Sequence, residues 1–323
     1  MTMAKLAALA GVSVSTVSKA FSGSSEISEE KRRHIFETAQ KYGCYDKYCK
    51  NSYTKKVIAV ICPEFKGRYY TEQLAIFERE ISRHGAVMIV SSADFDRKKE
   101  QDLITFFSEY SKVDGIIVYN MPDNLQKYSL PIVSIGSTNN PVHSIDISTN
   151  KAIEDAVVHL LEYGHRDIAF IGEEKTEEKS KTFTEIMKKY RCRANGRCVS
   201  ISGKRFEAAG YEGMNVLFES DNPPTAVIAA YDYIAIGAMK SIYEHGLRIP
   251  EDISIIGMDD INENPYLNVP LTSITTYNED LCQIAVDALF ESIDSCAGKA
   301  VRTVRVSADL VKRQSVGTAK EGM

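Results

Sequence analysis

The sequence predicts an N-terminal all-α helix-turn-helix headpiece joined to a larger α/β region built as two Rossmann-like halves. Three observations carry this reading. Apolar residues recur at helical spacing up to Tyr42, whereas from Val57 onward short β-branched runs alternate with amphipathic helical stretches. That alternation continues for about 265 residues, more than one parallel sheet comfortably holds. Charge is also uneven. The first 56 residues hold ten Lys or Arg against five acids, a local +5, so a chain of −5 overall carries −10 in the remainder. A basic module on an acidic body points to a polyanionic partner.

The headpiece reads as three short helices between Met3 and Tyr42. The first places Leu6, Leu9 and Ala10 on one face, and Gly11 breaks it where a tight turn needs positive φ. Ser13 or Ser15 can cap the second helix, which runs to about Phe21 and ends at Gly23. Ser28 caps a third, with Ile35, Phe36 and Ala39 facing inward. Cys44–Lys56 is polar, basic and tyrosine-rich without periodicity, and reads as a linker that is poorly helical.

Strands are expected at Val57–Ile61, Ala86–Val90, Gly115–Val118, Ile132–Ile135, Ile168–Ile171, Cys198–Ile201, Ala226–Ala229 and Ile253–Ile256. Helices are expected near Gln73–His84, Lys98–Tyr110, Ala152–Leu161, Lys179–Tyr190, Phe206–Phe218, Tyr233–His245 and Glu279–Ser295. Alternation of this kind gives parallel sheets covered on both faces. No apolar run of ~18 residues is present and no secretory signal is read, so neither a membrane partner nor export is expected.

Catalytic signatures are missing. There is no G-x-G-x-x-G, no H-E-x-x-H and no G-x-S-x-G. Gly203-Lys204 is no phosphate loop, because Cys198 stands where its first glycine is needed. The seven cysteines are odd in number and scattered, which suits unpaired thiols in a reducing cytosol and gives no metal pair. His165, after Gly164, reads as a turn residue. No enzyme activity, cofactor or metal is expected. The second helix is more telling. Around Val17 it is studded with Ser13, Ser15, Thr16 and Ser18, short hydroxyls that let a helix sit deep in a groove and donate to phosphates, while Lys19 can reach a base edge or a phosphate. An ordinary helical hairpin with solvated serines is the alternative.

Residues Ala4 to Gly43 closely resemble the DNA-binding headpiece of the lactose/galactose-repressor (LacI/GalR) family. Collinear blocks continue the resemblance: VDGIIVY at Val113–Tyr119, LLEYGHRDIAFIG at Leu160–Gly172, PPTAVIAAYDYIAIGAM at Pro223–Met239, HGLRIPEDISIIGMDD at His245–Asp260 and VPLTSI at Val269–Ile274. The resemblance implies a homodimer on a pseudo-palindromic operator. It also implies a sensor domain like a periplasmic sugar-binding protein, with two subdomains, three crossovers and a ligand in the cleft. On this basis the headpiece is 1–43, the hinge 44–56 and the sensor 57–323. Subdomain 1 spans approximately 57–148 and 277–300, and subdomain 2 approximately 149–276 and 301–318. Val14, Ser15 and Lys19 fall on base-reading positions, with Lys19 where arginine is commoner, and Ser13, Thr16 and Ser18 on phosphate contacts. Lys47, Lys50 and Tyr53 are the expected DNA contacts of the hinge. Tyr53 aligns with a leucine that wedges into the minor groove, and Lys50-Asn51 with the usual Ala-Arg, so the hinge departs from the family motif.

In the sensor, the switch-point rule places ligands beyond the carboxyl ends of parallel strands, which selects Tyr69, Tyr70, Asp94, Tyr119, Tyr231 and Asp259. The resemblance adds Phe206, and also Lys179 where a hydroxyl-binding arginine is usual. Asp259 is the expected polar anchor, accepting from hydroxyl or amine groups. Lys179 can bind an anionic ligand group or pair with Asp259. Asp232 reads as a helix cap, and Tyr119 as either wall or packing. The leading reading is a cytoplasmic repressor answering to a sugar or sugar phosphate. The alternatives are the same regulator answering to a protein partner or without a ligand, and an enzyme or transport-type binding protein with a helical arm.

Overall fold

The computed structural model describes residues 1–22, 24–49, 55–111, 113–119, 128–136, 142–192, 197–295 and 302–320. The chain divides into a small N-terminal unit ending at Lys56 and a large unit beginning at Val57.

In the small unit, α1 (Met3–Leu9), α2 (Val14–Phe21) and α3 (Glu29–Lys41) close around Leu6, Ala7, Ala10, Val17, Ala20, Phe21, Ile35 and Ala39. Ser13 is the cap of α2, its Oγ accepting from the Thr16 N–H at 3.0 Å, and Ser28 caps α3 the same way through Lys31. Gly11 takes φ 65 in the turn between α1 and α2. Leu9 is 41% exposed, so the inward face of α1 is Leu6, Ala7 and Ala10. Gly23 lies outside the described residues.

The linker expected at Cys44–Lys56 needs correction over its first residues. Tyr45–Cys49 forms a short helix, α4. Its cause is aromatic packing: Cys44 and Tyr48 are buried with the headpiece core, Tyr45 meets Phe36 edge-on at 5.2 Å, and Tyr48 lies 5.6 Å from Phe21. The Tyr48 hydroxyl donates to the Met1 carbonyl at 2.7 Å. Tertiary burial overrides the weak helix propensity of this segment. Lys50 and Tyr53 lie outside the described residues.

The large unit holds two six-stranded sheets. The first, in order β11-β5-β4-β3-β1-β2, consists of β1 (Val57–Cys62), β2 (Val87–Ser92), β3 (Gly115–Tyr119), β4 (Ile132–Ile135), β5 (His143–Ser148) and β11 (Thr303–Ser307). The second, in order β12-β10-β9-β8-β6-β7, consists of β6 (Ile168–Glu173), β7 (Cys198–Ile201), β8 (Ala226–Ala229), β9 (Ser254–Met258), β10 (Thr272–Thr275) and β12 (Asp309–Val311). Central pairings are parallel, with Ile58 opposite Gly115 in the first and Ile168 opposite Ala226 in the second, while β12 runs antiparallel to β10. Helices α5 (Arg68–Arg83), α6 (Arg97–Thr105) and α11 (Asn278–Asp294) serve the first sheet. Helices α7 (Asn150–Glu162), α8 (Glu177–Lys189), α9 (Phe206–Phe218) and α10 (Asp232–Glu244) serve the second.

The chain crosses between sheets three times: after β5, after β10, and between β11 and β12. The last crossing corrects the expected assignment of 301–318 to the second half. Thr303–Ser307 pairs in parallel with Ser144–Ser148, so it belongs to the first sheet.

Candidate functional sites: a polar helix face and an aromatic cleft

Helix α2 buries Val17, Ala20 and Phe21 and leaves Ser13, Val14, Ser15, Ser18 and Lys19 exposed, with Thr16 half-buried. Val14, at 47% exposure, is an apolar residue turned outward beside hydroxyls. The Ser13 and Thr16 hydroxyls lie 2.7 Å apart. Lys19 pairs with Glu26, an exposed contact that a stronger anion can displace. Arg32 of α3, which sequence reasoning missed, fixes the helix from behind by donating to the carbonyls of Ala20 (3.1 Å) and Ser24 (2.7 Å). Lys47 on α4 donates to the Met1 carbonyl at 3.1 Å and remains exposed. The unit therefore presents a short, rigid, capped helix whose outer face offers hydroxyls, one methyl-bearing contact and one cation.

The second site is a cavity of about 230 Å³ between the carboxyl ends of the two sheets. Tyr69 and Tyr70 reach it from the start of α5, Lys179 from α8, Phe206 from the start of α9, Tyr231 and Tyr233 from the β8–α10 junction, and Asp259 from just beyond β9. Six of the eight expected cleft residues thus converge. Phe206 (φ 54) and Asp259 (φ 111) hold backbone conformations that side-chain-bearing residues rarely adopt. The rings form two groups, Tyr69 and Tyr70 edge-on at 5.2 Å, and Phe206 at 6.4 Å from Tyr231 and 5.9 Å from Tyr233.

Two expected residues do not line the cavity. Tyr119, the last residue of β3, turns toward α5, donates to Gln73 and packs edge-on behind Tyr70 at 5.3 Å. Asp94 is exposed in the turn after β2. Its neighbour Phe95 is the residue that reaches the cleft region, lying 5.7 Å from the Arg205 guanidinium.

The polar groups differ in how far they are satisfied. Lys179 Nζ donates to the Ala230 carbonyl at 2.7 Å and lies 4.5 Å from the Tyr231 ring centre. Burial pulls its pKa down, opposed by the charges of Asp259, Asp232 and Glu173. Burial pushes the Asp259 carboxyl up to about 7; Lys179 opposes this and Glu72 adds to it. Tyr69 is raised to about 12, chiefly by burial.

Asp232 also departs from its expected role. It is not a cap but a fully buried acceptor, taking hydrogen bonds from Ile261 N–H (2.9 Å), Asn264 Nδ2 (2.8 Å) and Ser273 Oγ (2.6 Å), and so pinning the loop after β9. His165 does close the turn after α7, its N–H donating to the Leu160 carbonyl at 3.0 Å, but its side chain is buried in the core. Its ring lies 2.9 Å from Thr225 Oγ1 and 2.9 Å from the Gly317 carbonyl, tying in the C-terminal segment.

Sequence reasoning also missed the cross-cleft polar contacts. Arg205 meets Glu64 (2.5 and 3.0 Å) and Glu173 (2.9 Å), Arg68 meets Glu263 and the Tyr233 hydroxyl (3.2 Å), and Asn262 donates to Glu72 (3.1 Å). Apart from Glu173, which lies in the same lobe as Arg205, the partners are separated by 141 to 195 positions and leave no local signal.

Comparison with known proteins finds matches for both parts of the chain. Residues 2–44 match the family described as bacterial regulatory proteins, lacI family, and residues 157–316 match a periplasmic binding protein-like domain. The chain is 30% identical over 332 residues to the HTH-type transcriptional repressor PurR of Pasteurella multocida (strain Pm70), with 98% of each chain covered. Its fold is similar to the Lac repressor dimer bound to operator and the anti-inducer ONPF (TM-score 0.72, 22% identity, 98% of this chain and 99% of that chain). It is also similar to the transcriptional regulator CelR in complex with cellobiose (TM-score 0.69, 22% identity, 98% and 99%). With a helix-turn-helix unit, a two-sheet cleft and a full-length match at this identity, the chain belongs to the LacI family of bacterial regulatory proteins.

Proposed function

We propose that this protein is a cytoplasmic transcriptional repressor that binds a pseudo-palindromic operator as a homodimer and answers to a small molecule in the aromatic cleft. The observation that carries the DNA-binding half is the outer face of α2: a capped helix showing Ser13, Val14, Ser15, Ser18 and Lys19 in a unit of net charge +5. In the major groove, Val14, Ser15 and Lys19 read base edges while Ser13, Thr16 and Ser18 hold phosphates. Lys47 and the hinge residues Lys50 and Tyr53 add backbone contacts.

The cavity supports a ligand of a single ring or two. Its aromatic faces suit stacking on a sugar ring, and Asp259 is placed to accept from hydroxyls. A sugar is favoured over a sugar phosphate, since Lys179 is already held by a carbonyl and an aromatic face.

Selection of bound sites from random DNA, followed by gel shifts with wild type and Lys19→Ala, tests this reading. The variant should lose about 1–3 kcal/mol on the selected site and much less on random DNA. Equal losses on both would make Lys19 a phosphate contact, and no selected site would remove the proposal.

A further inference from the structure

Building on the proposed ligand cleft, we infer that its ligand carries a positive charge: a small ring-bearing amine, an amino sugar included, with Asp259 as its counter-ion.

Most charges at the cavity are already answered. Arg68 is bonded to Glu263 and to the Tyr233 hydroxyl. Glu64, although it lines the cavity, is held by two hydrogen bonds from Arg205. Lys179 donates to the Ala230 carbonyl and rests on the Tyr231 ring. Asp259 is different. Among the described residues, neither a hydrogen bond nor an ion pair within 4 Å reaches its carboxylate. Asp259 is half-buried at this aromatic cavity, and a carboxylate that loses part of its water is costly to hold charged unless paired.

The surroundings sharpen the asymmetry. Glu72 adds negative charge near Asp259, and so does Asp232, its own carboxyl raised to about 8 by burial and then by the charge of Asp259. Both carboxyls are driven toward holding protons, which is how a site with excess negative potential relieves itself when empty. Lys179 offsets one charge only. A phosphate or carboxylate ligand would deepen the excess, and a neutral sugar would leave Asp259 uncompensated. An ammonium would sit against the carboxylate with the faces of Tyr70 and Phe206 beside it, an arrangement that favours cations over neutral guests of the same shape.

The test is a matched charge series on the full-length protein near neutral pH: benzylamine, benzyl alcohol and benzoate, and in parallel glucosamine, glucose and glucose 6-phosphate, each titrated calorimetrically. The amine of at least one series should bind about tenfold tighter than its neutral and anionic partners. Asp259→Asn should abolish that preference, weakening the amine about tenfold more than it weakens the neutral compound. Lys179→Gln, which removes the competing cation, should tighten the amine. A neutral or anionic compound binding as well as the amine, a preference that survives Asp259→Asn, or no amine binding at millimolar concentration would each overturn the inference. Gel shifts on the selected operator, run on the same preparations, separate the two readings: intact DNA binding with no charge preference sinks this inference alone, whereas absent DNA binding sinks the regulator.

Discussion

Glu100 lies on the inner side of α6 at 7% exposure, and burial raises its carboxyl to about 7, with Arg97 opposing. A carboxyl raised in the folded state favours folding most when protonated. Its contribution is therefore full below the ordinary value of 4.5 and is lost as pH rises through about 7. Glu100→Gln should then stabilise the protein by at most about 3 kcal/mol above pH 7, and the gain should vanish toward pH 4. Urea denaturation at several pH values checks this, and a gain independent of pH would assign the effect to packing. Asp232 shows why single residues were hard to read from sequence. Its position before a helical run resembles a cap, yet its donors come from Ile261, Asn264 and Ser273, far along the chain. Gly257 completes that arrangement, since a Cβ there would collide with the Asp232 carboxylate.

Helices were the most legible elements because each keeps an amphipathic stripe, and the expected Phe206–Phe218 is reproduced to the residue in α9. Four strands escaped, for two reasons. β10 is Thr-Ser-Ile-Thr, fully buried yet polar in composition, and its hydroxyls are satisfied by neighbours such as the Asp232 carboxylate for Ser273. β5 mixes His143 and Asp146 into an interior strand, while β11 and β12 are sheet edges, the first with Arg305 at its centre and the second only 3 residues long. The packing of α9 on α10 was equally invisible. A Cβ on Gly210 would strike the Ile234 carbonyl, and one on Gly237 would strike the Glu207 carbonyl, so the two backbones meet at reciprocal glycines. In an exposed helix Gly→Ala gains about 1 kcal/mol, but here overpacking against backbone dominates. Gly210→Ala should cost about 2–4 kcal/mol in urea denaturation. A neutral or stabilised variant would show that the helices can separate freely.

At the scale of the whole molecule, the two-lobed sensor was legible because strand–helix alternation ran too long for one sheet, and the cleft because ligands sit beyond strand ends. What joins the lobes was not, since it consists of pairs brought together only by the fold. Arg205 precedes α9 in the second lobe, and its guanidinium stacks on Phe206 at 4.4 Å while bridging Glu173 of its own lobe and Glu64 of the other. Both carboxylates are nearly sealed from solvent, at 2% and 4% exposure. Removing the shared cation would leave two buried acids facing one another, a deficit that exceeds the strength of the original bridge because the charges cannot reach water. Arg205→Met keeps the apolar stem and should lose about 3–5 kcal/mol. Adding Glu64→Gln to the variant should recover part of the loss, because it removes one of the two facing charges. Urea denaturation of the three proteins decides the matter. A loss unrelieved by Glu64→Gln would mean that Arg205 stabilises the cleft through its stacking on Phe206 alone, and that the closure of the two lobes does not depend on this bridge.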